Sequence, residues 1–177
     1  MIRIYFDSSA YVKVFDTSEE GSAEATKIIE HAEKNKNIQI IMSVWTINET
    51  ISAIDKKAYQ RRDISEKESH ILIAKVIQKT NEYSKNESSN IVFASVDNDI
   101  VKGSSTFVYP SHISADDALH VFTAYDQGCQ YLITSDGRIR KQLPITIQGF
   151  SEKIKMYVLD ITKEDDIGDF INNLDSM

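Results

Sequence analysis

Residues 2–15, "IRIYFDSSAYVKVF", decide how the chain is read. "IRIYF" is a short β-type run, and Asp7-Ser8-Ser9 stops it with residue types that begin helices. "AYVKVF" continues as a helix. A strand running straight into a helix is the first half of a βα unit, and the rest of the chain repeats the alternation. "IQIIMS" (38–43), "NIVFASV" (90–96), "YLIT" (131–134) and "MYVL" (156–159) read as further strands. Helices are expected over about Gly21–Lys36, Val44–Arg62 and Ser65–Lys85. A short helix from Asn98, the "ADDALHVFTAYDQG" helix capped by Ser114 and ended by Gly128, and a C-terminal helix over Asp169–Leu174 complete the reading. "SEKE" (65–68) has the spacing of a capping box, Ser65 at the N-cap and Glu68 at N3.

Strands separated by helices imply a parallel sheet covered on both faces. The expected fold is therefore α/β, a three-layer α/β/α domain with a parallel sheet of about five strands. One domain spans 1–177, with a helical hairpin at about 45–86 as an elaboration. In such sheets ligands collect at the carboxyl ends of the strands.

Composition narrows the function. The chain has 177 residues, 41% hydrophobic and 27% charged, the proportions of a soluble globular protein. Its only cysteine, Cys129, excludes an internal disulfide and a cysteine-based zinc site, and reads as a small apolar residue before a strand. No apolar run reaches membrane-span length and no secretory signal pattern opens the chain, so a cytoplasmic protein with no membrane partner is expected. A net charge of −7 disfavours broad binding of nucleic acid through its phosphates. Carboxylates that hold metal ions are the exception, because the ion neutralises both partners.

Several acidic residues meet that condition. Asp7 follows strand one, Asp136 follows strand four after Ser135, Glu49 lies in the second turn of the helix after strand two, and Asp116 and Asp117 open a helix. Taken singly they have structural readings: Asp7 and Asp136 as N-caps, Asp117 as the N3 partner of Ser114, Glu49 as a solvated helix residue. Together they crowd one rim, where carboxylates repel unless a cation lies among them. Oxygen donors without cysteine select magnesium or manganese. The chemistry that suits such a cluster is phosphodiester hydrolysis.

"YFDSSAYVK", "NETISAI", "ADDALHVFTA" and "YLITSD" resemble, in order and spacing, the four acidic motifs of PIN-domain nucleases, and within them the VapC-type toxin ribonucleases. The resemblance covers about residues 1–160. It implies a Rossmann-like fold and a magnesium- or manganese-dependent endoribonuclease acting on RNA. Asp7, Glu49, Asp117 and Asp136 match the family's metal-site acids, and Ser9 and Thr134 its supporting hydroxyls. The hairpin 45–86 and the segment 97–113 make this chain longer than a typical toxin of that kind. An antitoxin partner is left open; a short upstream gene for a basic DNA-binding protein would mark one. Two rivals stand beside this reading. One is a magnesium-dependent phosphohydrolase of small phosphate esters, which commonly carries D-x-D where this chain has Asp7-Ser8-Ser9. The other is a non-catalytic PIN scaffold that binds protein partners, against which the presence of all four acids counts.

Helix geometry separates the two adjacent aspartates. At roughly 100° per residue, Ala115, Ala118, Leu119 and Phe122 form the core stripe. Asp116 falls on the flank shared with His120 and Thr123, read as polar, and serves as a helix-terminus charge or outer-sphere helper. Asp117 falls between Val121 and Ala124 against an apolar flank, where a carboxylate needs a cation. His120 is read as a packing residue with one satisfied nitrogen, and Trp45, on Glu49's face, as core packing rather than a wall of the site. Arg138, Arg140 and Lys141 either contact RNA phosphates or form a solvated basic face. Ile71, Leu72, Ile73, Val76 and Ile77 exceed what one core stripe needs. The hairpin is therefore expected to form a homodimer contact or receive a partner's helix.

Overall fold

A computed structural model describes residues 1–142 and 156–176. Five parallel strands make one sheet in the order β3-β2-β1-β4-β5. They are β1 (Ile2–Phe6), β2 (Ile38–Ser43), β3 (Ile91–Ala94), β4 (Tyr131–Thr134) and β5 (Tyr157–Asp160). β1 is central: Ile4 registers with Ile40 of β2 on one side and with Tyr131 of β4 on the other. The chain thus builds outward from β1 in one direction through β3 and in the other through β5. The strand order reverses at β1 and β4, the place where open α/β sheets bind ligands.

The helices are α1 (Ser8–Tyr11), prolonged by a 3-10 turn Val12–Val14, α2 (Ser22–Lys34), and α3 (Val44–Lys56), prolonged by a π-helical turn Lys57–Arg61. Then come α4 (Glu66–Lys85), α5 (Asn98–Ser111), α6 (Ala115–Asp126), a helical stretch at 137–142, and α7 (Glu164–Asp175). Alternate strand residues serve opposite layers. Ile4, Phe6, Ile40, Met42 and Ile133 pack with α2, α3 and α7, while Tyr5, Ile41 and Leu132 pack with α5 and α6. The Ser65–Glu68 capping box closes both ways at the start of α4. Gly128, at positive φ, ends α6. Cys129 is buried. No helix among the described residues is long and apolar enough to cross a membrane.

α5 is longer than the sequence implies, for a tertiary reason. Gly103, Ser104, Ser105, Thr106 and Pro110 are poor helix residues. The three hydroxyls turn back onto the carbonyls of Val101, Lys102 and Gly103 at 2.6–2.8 Å, which removes their competition with the helix. Ile100, Ser104 and Phe107 make one buried stripe, and a Cβ on Gly103 would stand 2.0 Å from the Phe122 ring of α6. Close packing on α6 overrides propensity. α7 likewise starts earlier than expected, because Glu164, Asp165 and Asp166 suit the first turn and Ile167, Phe170, Ile171 and Leu174 are all buried.

In the hairpin, Val76 is buried and Leu72 and Ile73 pack against the core. Ile71 and Ile77 are each 47% exposed.

A buried ionic cluster joins the segments that carry the first two acidic motifs. Lys57, at the end of α3, donates to Asp16 at 2.6 Å and to Glu19, and Lys13 donates to Glu19 at 2.9 Å. Burial alone would raise the Asp16 and Glu19 carboxyls, but Lys57, together with Ser18 at Asp16 and Lys13 at Glu19, outweighs it and holds both below their ordinary values. Burial would lower Lys57, and the two carboxylates instead raise it. The carboxylates' contribution to stability is present above the ordinary carboxyl pKa and lost as pH falls through the depressed values. That of Lys57 is present at neutral pH and lost as pH rises through its raised value. Lys57→Met leaves Asp16 buried without its cation, and about 3 kcal/mol of stability at pH 7 is expected to go. In urea melts the deficit should shrink as pH falls through the ordinary carboxyl range at about 4 and below it, as the carboxyls protonate first in the variant and then, through their depressed values, in the wild type. A deficit independent of pH would assign the loss to packing.

Candidate active site

Asp7 is the first residue beyond β1. Its carboxylate caps α1, accepting from the Ala10 amide at 2.9 Å and from the Ser9 hydroxyl at 2.7 Å. It is 3% exposed. Burial pushes the carboxyl above its ordinary value, against the opposing pull of His120 and of the hydrogen bonds from Thr134, Ser9 and Ala10. Ser9 also ties β1 to β4, since its Oγ accepts the Ser135 amide at 2.7 Å and lies 3.4 Å from Thr134 Oγ1. Thr134 Oγ1 in turn accepts the Asp136 amide at 2.9 Å. The two hydroxyls therefore fix the ends of adjacent strands, and with them the starting points of the Asp7 and Asp136 side chains.

Asp136 accepts from the Arg138 amide at 2.7 Å, as an N-cap does, and from Arg138 Nη2 at 3.2 Å. Arg138 outweighs the effect of burial and holds this carboxyl below its ordinary value. The same guanidinium nitrogen stands 3.7 Å from Asp117 Oδ2, so Arg138 bridges two of the four acids. Asp117 completes the Ser114 capping box and its side chain is 15% exposed, whereas Asp116 is exposed. The helix-face assignment of the two aspartates agrees with these exposures, although one reason for it does not. His120 and Thr123, read as a polar flank, are buried.

Glu49 projects from α3. That helix opens at the carboxyl end of β2 through a reciprocal Ser43–Thr46 box, which spacing alone did not reveal because N3 is threonine rather than glutamate. Glu49 pairs with His120 Nε2, and His120 Nδ1 lies 2.9 Å from the Tyr5 hydroxyl. Both imidazole nitrogens are engaged, so His120 is a polar link from the sheet to Glu49 rather than a packing residue with one bond. Burial would lower its pKa, but the Glu49 hydrogen bond and the charges of Asp7, Glu49 and Asp117 outweigh burial and raise it. The reciprocal effect holds Glu49 below its ordinary value despite burial. Nothing in the sequence pairs His120 with Glu49, since the two lie 71 residues apart on different helices.

Two further residues differ from expectation. Trp45 is 38% exposed at the start of α3, not packed in the core. Arg140 is paired with Asp160 and Asp166 at 3.0 and 2.9 Å.

The four acids from four separate segments thus fall into one connected neighbourhood. Asp7 is joined to Asp136 through Ser9 and Thr134, Asp136 to Asp117 through Arg138, and Glu49 to α6, which carries Asp117, through its hydrogen bond with His120. The donor set is hard oxygen, which fits magnesium or manganese. As the side chains stand, Glu49 turns to His120 and Asp117 and Asp136 turn to Arg138. Among the described residues no three His, Cys, Asp or Glu side chains group closely enough to enclose an ion.

A sequence model of the PIN domain matches residues 4–142, most of the chain. The chain belongs to the PIN domain family. No curated protein matches this PIN domain in sequence. Its fold is similar to that of the Mycobacterium tuberculosis VapC20, described as a Sarcin-Ricin loop cleaving toxin. That likeness has a TM-score of 0.54 at 16% identity, over 84% of this chain and 97% of that one. PAE2754 from Pyrobaculum aerophilum gives 0.56 at 16% identity, over 99% and 98%. VapBC2 from Rickettsia felis, solved bound to a DNA fragment from its promoter, gives 0.53 at 10% identity, over 90% and 98%. At these identities the likeness is one of fold.

Proposed function

We propose that this PIN domain is a divalent-metal-dependent endoribonuclease, acting in the cytoplasm as the toxin of a toxin–antitoxin pair. The observation that carries the reading is the convergence of Asp7, Glu49, Asp117 and Asp136 at the carboxyl rim where the strand order reverses. Those four carboxylates would hold magnesium or manganese. When bound, such an ion supplies charge neutralisation and a water acidic enough to attack phosphorus. The protein's own groups do the rest. Ser9 and Thr134 hold Asp7, His120 holds Glu49, and Asp116 adds negative charge from outside the cluster. Arg138, 67% exposed and bridging Asp117 to Asp136, would be free to meet a substrate phosphate if those carboxylates held an ion.

VapC20, described as a toxin that cleaves the Sarcin-Ricin loop, and VapBC2, solved bound to a DNA fragment from its promoter, share this fold, which supports RNA and an antitoxin as the partner classes. Ile71 and Ile77, apolar and half in water on α4, are the residues that a homodimer contact would cover.

The test is incubation of the purified protein with RNA and with a generic phosphomonoester, each in manganese and in chelator. Cleavage of RNA in manganese alone is expected, with the ester untouched. Hydrolysis of the ester without RNA cleavage would mean a small-ester phosphohydrolase. Inactivity on both would mean a PIN scaffold without catalysis.

A further inference from the structure

We propose that Trp45 is a stacking platform for an unpaired nucleobase beside the reacting phosphate, a base-binding site that rests on the ribonuclease reading above. Trp45 stands in the first turn of α3, which starts at the carboxyl end of β2, next to the central strand that delivers Asp7. Glu49 lies one turn further along the same helix face. The ring thus stands at the edge of the acidic cluster with 38% of the residue in water. A large apolar ring left exposed there is suited to a flat partner that meets its face.

The other exposed aromatics among the described residues are elsewhere. Tyr157 begins β5 and so stands at the opposite, amino-terminal edge of the sheet, stacked on Tyr131. Tyr59 lies roughly 20 Å beyond Trp45 along the same helical stretch, at about 1.5 Å per residue.

Charge gives the stacking site a role. With net charge −7, the chain gains little from general attraction to phosphates. Arg140 is committed to Asp160 and Asp166, and Arg138 to Asp117 and Asp136 for as long as those carboxylates hold no ion. A non-ionic source of affinity for RNA therefore complements the ionic contacts. Stacking of bases on an aromatic ring is one, and it tolerates any base because every base offers a π-face. It also requires the base to be out of a duplex, so the preferred substrate is a single-stranded segment or loop.

Trp45 is the only tryptophan, so its emission reports on this position alone. The experiment titrates the full chain in chelator with a short single-stranded RNA and with the same RNA in a duplex. It then measures steady-state cleavage in manganese for wild type, Trp45→Ala and Trp45→Phe. Quenching by the single strand and not by the duplex is expected. Trp45→Ala should raise KM about tenfold, with the loss in KM rather than kcat, and Trp45→Phe should recover to within about threefold. An unchanged KM in Trp45→Ala would overturn the proposal. So would a Trp45→Phe variant as poor as Trp45→Ala, since an aromatic face would then not be what carries the effect. RNA cleavage by wild type without any quenching removes the stacking site and leaves the ribonuclease standing. Quenching by single-stranded RNA that is never cleaved removes the ribonuclease and leaves the base-binding site.

Discussion

Asp117→Asn is expected to abolish metal-dependent RNA cleavage, while Asp116→Asn lowers it by about tenfold or less. The two residues are neighbours in the chain, of one type, in the first turn of one helix, so composition and propensity cannot separate them. Exposure and partners do. The Asp117 side chain is 15% exposed and 3.7 Å from an arginine nitrogen that also binds Asp136. Asp116 is exposed and acts only through the field at a helix N-terminus, worth about 0.3–1 kcal/mol. A factor of ten in rate is about 1.4 kcal/mol, an upper bound for such an effect. Asparagine at 117 still offers an oxygen to the Ser114 amide, and its own amide still reaches Ser114 Oγ, so the capping box survives. The loss is therefore expected with an unchanged circular dichroism spectrum. Initial rates on a defined RNA in manganese decide it, and the reverse order of the two variants would contradict the helix-face assignment.

Asp7→Asn should separate stability from function. In the metal-free protein Asp7 is a buried carboxylate whose ionised form is disfavoured by burial. Asparagine keeps the two hydrogen bonds to Oδ1, remains a good N-cap and carries no charge. The variant is expected to melt a few degrees higher than wild type in chelator, at about 2–4 °C per kcal/mol for a chain of this size. Manganese at a hundredfold its dissociation constant stabilises a binding protein by about 2.7 kcal/mol, which here means roughly 5–10 °C in wild type. The variant should lose that shift together with RNA cleavage. Thermal melts of both proteins, with and without manganese, measure this, and a shift that persists in Asp7→Asn would remove Asp7 from the shared site.

The sheet was legible because its strands are short apolar runs, each followed by a helix start, and strand ends moved by only a few residues. The rim acids were legible for the same reason, since a residue just past a strand or in the first turns of the next helix has its edge fixed by topology. What stayed hidden depends on tertiary neighbours. α5 reads as short because its glycine, hydroxyls and proline are weak helix residues, and only packing of Gly103 on Phe122 explains its length. His120 reads as ordinary filling because nothing local announces that Glu49, seventy-one residues away, faces its other nitrogen. Trp45 reads as core because tryptophan usually is, and its exposure follows from where α3 begins relative to the rim. The Lys13–Asp16–Glu19–Lys57 cluster is likewise invisible in a linear sequence, since Lys57 comes from a different helix.

The central claim is that Asp7, Glu49, Asp117 and Asp136 form one divalent-metal site. Calorimetric titration of manganese into the metal-free protein tests it most directly, with Asp7→Asn and Asp117→Asn titrated beside wild type. Saturable binding to wild type that either substitution abolishes is the predicted result. Equal manganese binding by wild type and both variants would contradict it.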